Sequence, residues 1–226
     1  MRSEVLLQVY DRLFHHYGRR YWWPANSPFE VMVGAILTQN TAWANVERVL
    51  ARLQDIVALE ASAISNLPVH VLADVLRPVG YFNVKAARLQ SFCRWLLDQG
   101  GIQKLEAQST AVLREALLRV HGVGPETADD ILLYAFGRPV FVIDTYTRRL
   151  FGRLGLADGS EPYELLRSRL EQALPQDVGL FNEYHALIVE HAKTSCRSSP
   201  LCAACILKEG CPSAGDFPVR KVHAKK

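Results

Sequence analysis

At 226 residues, with 49% of them apolar, the chain is long enough to bury one large core or two modest ones, which excludes a disordered or low-complexity protein. No run approaches the roughly 18 to 20 uninterrupted apolar residues of a membrane span, and Met1 to Gln8 carries charges where a secretory signal has an apolar block. A formal net charge of +3 is only mildly basic, so any affinity for nucleic acid must come from local clustering of Lys and Arg rather than from the total. The expected setting is the cytoplasm, with no membrane partner.

In chain order, apolar residues recur at helical spacing over 5–17, 29–38, 44–53, 71–76, 86–97, 109–120, 128–136, 147–154, 162–173 and 182–192. Short breakers separate them: Pro68, Pro78-Val79-Gly80, Gly100-Gly101, Gly122-Val123-Gly124 and Gly137-Arg138-Pro139. The one segment that reads as a strand is Val140 to Ile143. The expectation is an all-α fold of about ten helices. Beyond Cys211 the tail "PSAGDFPVRKVHAKK" loses periodicity and ends basic, as a phosphate-grazing tail would.

Several stretches carry chemistry. In "VHGVGPETADD", Gly122, Val123 and Gly124 permit a tight turn with backbone amides at a helix start, and Pro125 and Glu126 suit the first helical turn. Such a turn either cradles a phosphate or simply joins two helices. Eighteen residues after Glu126, Asp144 follows a short apolar run and precedes a helix, a position that a plain N-cap would also explain. "RRYWWPANSPFE" places Trp22, Trp23 and Pro24 just ahead of a helix, and "LTQNTAW" adds Trp43. Aromatic residues this dense serve as core or as walls for a flat ring.

Four of the five cysteines, Cys196, Cys202, Cys205 and Cys211, form a C-x5-C-x2-C-x5-C pattern that in a reducing compartment indicates a metal centre rather than disulfides. Cys93 stands alone in an apolar-periodic segment and reads as a small core residue.

The order "GVG…TA…VIDTYTRRLFGRLG…C…C..C…C" resembles the endonuclease III superfamily of helix-hairpin-helix (HhH-GPD) DNA glycosylases over about Phe29 to Cys211. The resemblance implies a base-excision repair enzyme, nucleoid-associated in a bacterium, acting on damaged double-stranded DNA that lies between two lobes: a central helical barrel of residues 27–138 with the hairpin, and a second lobe of 1–26 with 139–226 that carries the four cysteines. The hairpin Gly122-Val123-Gly124 would hold the DNA backbone, and Asp144 would serve hydrolysis of the N-glycosidic bond. Gln39 would fill the gap left by an extruded nucleotide, and Tyr81, in "GYFN", would be a wedge; helix-terminal hydrogen bonding and a turn aromatic are their plainer roles.

Bifunctional members carry a lysine where this chain has Glu126, and a glutamate cannot form the Schiff base that precedes strand cleavage. The resemblance therefore implies a monofunctional glycosylase. Glu126 either hydrogen-bonds the flipped nucleotide or complements the helix dipole.

"WWP", "LTQNTAW" and the glutamate together are similar to the endonuclease III-type 3-methyladenine DNA glycosylases. This implies a base pocket of Trp22, Trp23, Pro24 and Trp43, suited to a cationic 3-methyladenine or 7-methylguanine through cation–π attraction of roughly 0.5 to 2 kcal/mol. Lys193 faces either solvent or that pocket, where an ammonium would oppose a cationic base. The family's cysteines hold a [4Fe–4S] cluster, implied here for Cys196, Cys202, Cys205 and Cys211. The family's first interval is one residue longer, which leaves tetrahedral zinc open. The remaining alternatives are a glycosylase for oxidised pyrimidines or mismatched bases and a damage-binding protein without activity. A monomer is expected, its abasic product passing to a separate endonuclease.

Overall fold

The computed structural model describes residues 1–215; the basic end of the tail lies outside the described residues. Regular structure is helical throughout the described residues, with no strand. The α-helices are α1 (Ser3–Tyr17), α2 (Pro28–Leu37), α3 (Trp43–Gln54), α4 (Ala61–Asn66), α5 (Val69–Val75), α6 (Phe82–Asp98), α7 (Ile102–Glu106), α8 (Thr110–Leu118), α9 (Pro125–Asp130), α10 (Thr145–Arg153), α11 (Tyr163–Ala173) and α12 (Val178–Thr194). No helix among the described residues is long and apolar enough to cross a membrane.

The chain divides into two units, Trp23–Arg138 and Met1–Trp22 with Pro139 onward. The first is organised around α2. Ser27 caps this helix by accepting the Glu30 amide at 3.2 Å, Pro28 starts it, and Glu30 reaches back to the Asn26 amide at 2.9 Å. That is a capping box displaced by one residue. Every residue from Phe29 to Leu37 is buried, as a helix apolar on all sides must be. Helices α3, α6 and α9 pack against α2, and α4 and α5 pack on α6.

The apolar run 128–136 departs from one continuous helix. Helix α9 gives way to a π-helical turn, Ile131–Ala135, closed by the Phe136 amide on the Ile131 carbonyl at 3.2 Å. Such widened turns are frequent at functional sites.

In the second unit, α12 packs against α1 and α10. Tyr184, fully enclosed, donates its hydroxyl to the Leu6 carbonyl at 2.8 Å and meets the rings of Tyr10, Phe141 and Phe151. The segment Val140–Ile143 is buried but is not a strand. Its Phe141 and Ile143 amides are satisfied by side chains instead, Glu171 Oε1 at 3.0 Å and the Tyr163 hydroxyl at 3.3 Å. A buried apolar run therefore needs no partner strand here. Cys93 lies in the core of the first unit, where burial pushes its thiol up to about 12.

Candidate functional site

Asp144 is the N-cap of α10. Its backbone is extended (φ −93°, ψ 179°), and Oδ1 accepts the Thr147 amide at 2.6 Å. The second oxygen, Oδ2, lies 3.6 Å from His185 Nε2 on α12. Burial by itself would raise this carboxyl. The His185 imidazole and the Thr147 amide outweigh burial, and the net shift is downward. The result is a buried, ionised carboxylate with one oxygen committed to a helix end and the other beside an imidazole. No motif marks His185, which sits inside a helix and meets Asp144 only through the packing of α12 on α10.

Around this pair the same unit gathers Trp22, whose ring lies edge-on to His185 with centroids 6.5 Å apart. Lys193 is exposed, and its ammonium lies 5.4 Å from the Trp22 ring centre and 5.8 Å from that of Tyr146. Lys193 thus faces aromatic rings as well as solvent.

Trp23 belongs to the other unit. Its ring packs 4.9 Å from Tyr134 at a 31° tilt and meets Trp43 edge-on at 5.4 Å. Gly34 of α2 permits this approach: a methyl group there would lie 3.3 Å from Trp23 Nε1 and 3.4 Å from Trp43 Cη2. The Nε1 atoms of Trp22 and Trp23 are buried with no hydrogen-bond partner among the described residues. Pro24 is exposed. The two adjacent tryptophans therefore serve different ring clusters, and Tyr134, which carries no sequence signal beyond its apolar register, joins Trp23 and Trp43.

The hairpin is tighter than its glycines alone suggest. Gly122 adopts φ +88°, and a Cβ there would fall 2.3 Å from Arg88 Cγ, so both conformation and space require glycine. The Val123 amide is not free: it donates to the Val120 carbonyl at 3.0 Å, and the Val123 side chain is buried. Gly124 precedes α9 in extended conformation, and Glu126 is exposed in the first turn of that helix.

Gln39 is bound to this hairpin. Its amide donates to the Gly122 carbonyl at 3.1 Å and to Thr127 Oγ1 at 3.0 Å, while Oε1 accepts from Arg88 at 2.6 Å. Arg88 is a second contributor that no motif announced. Tyr81 is 74% exposed in a left-handed backbone conformation (φ 46°) at the start of α6. Behind the hairpin, Arg114 of α8 forms a two-pronged ion pair with fully buried Asp129 of α9, at 2.6 and 3.1 Å.

Cys196, Cys202, Cys205 and Cys211 all line one cavity, together with Leu150, Arg153 and His191. None forms a disulfide. Burial raises the thiols of Cys205 and Cys211, and the neighbouring cysteines raise them further, a repulsion that a bound cation would relieve. Among the described residues, no three His, Cys, Asp or Glu side chains converge tightly enough to hold a single metal ion. The segment is held by α10: Arg149 and Arg153 donate to the Cys196 carbonyl at 2.9 and 3.3 Å, and Arg153 also approaches Cys196 Sγ at 3.3 Å. His191 lies 3.5 Å from Cys205 Sγ and accepts or donates at Nδ1 with Tyr17 at 2.9 Å. One helix thus carries Asp144 at its start and grips the cysteine segment at its end.

The chain is 44% identical over 94% of its length, and 98% of the relative's, to a Methanocaldococcus jannaschii protein whose name places it provisionally among the DNA repair glycosylases. It is similar in fold to a solved endonuclease III–DNA complex, with a TM-score of 0.83, 22% identity and coverage of 96% of this chain and 98% of that one. It is also similar to an H. pylori 3-methyladenine DNA glycosylase bound to 1,N6-ethenoadenine, with a TM-score of 0.73, 29% identity and coverage of 85% and 98%. A family model matches residues 33–176, from within α2 to the loop that follows α11, and on these grounds the chain belongs to the HhH-GPD superfamily of base excision DNA repair proteins.

Proposed function

We propose that this protein is a monofunctional DNA glycosylase that hydrolyses the N-glycosidic bond of alkylated purines, 3-methyladenine and 7-methylguanine, extruded from duplex DNA. The observation that carries the monofunctional part is Glu126: an exposed carboxylate stands where the bifunctional members carry the lysine that forms a Schiff base.

In this reading Asp144 performs the chemistry. The carboxylate is ionised and held by Thr147, so it offers a fixed negative charge to the oxocarbenium-like sugar as the base departs, and Oδ2 can take a proton from the attacking water. His185 orients that oxygen. The hairpin meets the DNA backbone without reading sequence, and Gln39, hydrogen-bonded to it through Gly122 and Thr127, fills the gap left by the extruded nucleotide. Tyr81 enters the stack.

The ring set Trp23, Trp43 and Tyr134 offers π-faces to a base, and a methylated purine, being cationic, gains most from them. The likeness to a 3-methyladenine glycosylase supports this choice. Its positive charge also weakens the glycosidic bond, so little protonation of the leaving group is needed.

The cysteines fit a [4Fe–4S] cluster. Cys196, Cys202, Cys205 and Cys211, which line one cavity, would supply its four thiolates. When bound, the cluster supplies a rigid brace with redox capacity, and Arg149 and Arg153 connect that brace to the helix that Asp144 caps.

Lys193 favours a second reading. Its ammonium already occupies the Trp22 and Tyr146 faces, and a cationic base approaching them would be repelled. A neutral base, such as an oxidised pyrimidine or a mismatched one, would not. Chromatography of the free bases released by the purified protein separates the two. Methylated duplex should yield 3-methyladenine or 7-methylguanine with the strand left uncut; release only from oxidised or mismatched duplexes would overturn the alkylpurine reading, and strand cleavage with borohydride trapping would overturn the monofunctional one.

A further inference from the structure

Lys85 is a buried cation that none of the roles above uses. It is 2% exposed, among the largest enclosed side chains of the protein. Its ammonium donates to two backbone carbonyls, Leu37 at 3.0 Å and Val79 at 2.7 Å. Leu37 is the last residue of α2, and Val79 is the last of the short 3-10 turn Arg77–Val79, so the ammonium closes two helix ends at once. Burial, with Arg88 close by, lowers its pKa to about 8, which leaves it protonated and donating at neutral pH.

Each of those carbonyls stands at the base of a loop with a proposed DNA-entering side chain. Two residues beyond Leu37 is Gln39, and two beyond Val79 is Tyr81. Both loops hold a non-glycine residue in the left-handed region, Asn40 (φ 55°) and Tyr81 (φ 46°), so both are constrained rather than slack. Lys85 and Arg88 lie three positions apart on α6 and therefore share a face; Lys85 holds the bases of the two loops while Arg88 holds the Gln39 side chain. Packing alone does not call for an ion here. A methionine has nearly the same length, and burying a charge is costly unless its hydrogen bonds achieve something an apolar side chain cannot.

We propose that Lys85 is a positioning residue for base extrusion: by tying the end of α2 to the end of the 3-10 turn, it fixes the separation at which Gln39 and Tyr81 enter the DNA stack. The proposal rests on the reading of Gln39 and Tyr81 as the entering side chains.

The test uses the full-length protein and a duplex carrying a tetrahydrofuran abasic-site analogue with 2-aminopurine opposite it, so no lesion need be known. Lys85→Met should lower the equilibrium fluorescence rise that reports unstacking by about tenfold or more, while affinity for an undamaged duplex of the same length stays unchanged. A Gln39→Ala/Tyr81→Ala background should remove any further effect of Lys85→Met, because a residue that acts through those side chains has nothing left to position. Should Lys85→Met fail to fold, Lys85→Gln, which keeps a donor for one carbonyl, carries the same comparison with a smaller loss expected. A fluorescence rise equal to wild type, or a loss that adds fully to that of the double-alanine protein, overturns the positioning role alone. A double-alanine protein with wild-type fluorescence overturns the reading of Gln39 and Tyr81 and this proposal with it.

Discussion

Replacing Asp144 with asparagine separates two tasks that one carboxylate performs. As an N-cap, Asp144 accepts the Thr147 amide, and asparagine caps about as well as aspartate, so the cap itself should change by only a few tenths of a kcal/mol. Removing the charge from the start of α10 costs a further ~0.3 to 1 kcal/mol through the helix dipole, to which the lost attraction to His185 is added. The sum is on the order of 1 kcal/mol, a fall in Tm of about 2 to 4 °C for a protein of this size. Chemistry should suffer far more: loss of a preorganised charge at the developing cation is worth about 10²- to 10³-fold in rate. Asp144→Ala should be equally inactive but should lose about 1 kcal/mol more, because the cap is gone.

Single-turnover base release, thermal melts and affinity for undamaged duplex measure the three quantities separately. The sign with pH is fixed as well. Because the folded carboxyl sits below its unfolded value near 3.9, the stability contributed by its charge is complete above about pH 3.9 and is lost as pH falls through the folded value. Melts of wild type and Asp144→Asn should therefore converge in acid. An asparagine variant that releases base at the wild-type rate, or one whose rate and undamaged-duplex affinity fall together, would refute the assignment.

Other substitutions test the scaffold. Arg114→Ala should destabilise the first unit by about 1.5 to 3 kcal/mol, since it removes two charge-assisted hydrogen bonds from fully buried Asp129; urea unfolding that shows less than about 0.5 kcal/mol would mean that this ion pair does not hold α8 to α9. Gly122→Ala forces a left-handed alanine against Arg88 and should cost roughly 1 to 3 kcal/mol. It should also weaken binding to undamaged duplex by disturbing the Arg88–Gln39 bond, and wild-type affinity would count against the hairpin as a backbone grip. Protein purified without oxygen should carry about four irons per chain, lost in Cys202→Ser; one zinc per chain would replace the cluster with a tetrahedral site.

Much of the scaffold was legible because it is written in local terms. The period of 29–38 announces α2, and Ser27, Pro28 and Glu30 announce its start. Boundaries slipped where a cap lay outside the apolar register: α12 begins at Val178, where the Asp177 side chain accepts the Leu180 amide, four residues before the periodic run. The short helices α4 and α7 were not expected, because a helix of one or two turns leaves too little pattern to detect. Val140–Ile143 looked like a strand because its residues are apolar and β-favouring, yet side-chain acceptors satisfy its backbone. His185, Arg88, Lys85 and Tyr134 were invisible for another reason: each lies within a helical run, and its role exists only once distant segments meet.

The loops that resemblance singled out share one physical property that no motif states. Among the described residues, the non-glycine positions with positive φ are Tyr21, Trp23, Asn40 and Tyr81. Asparagine enters the left-handed region easily, but tyrosine and tryptophan do so at a cost on the order of 1 kcal/mol or more each. Burial cannot account for Tyr21 and Tyr81, which are 77% and 74% exposed. For Trp23 the twist sends consecutive tryptophans into different ring clusters, Trp22 toward His185 and Trp23 toward Trp43 and Tyr134. Glycine at Tyr81 would relieve the backbone strain and remove a large exposed ring, so a chain shaped by stability alone would favour it. Tyr81→Gly should accordingly melt no lower than wild type while losing the fluorescence rise in the 2-aminopurine assay. A variant that melts lower would show that the tyrosine serves the fold, and one with the wild-type fluorescence rise would show that the exposed ring serves something other than the DNA stack.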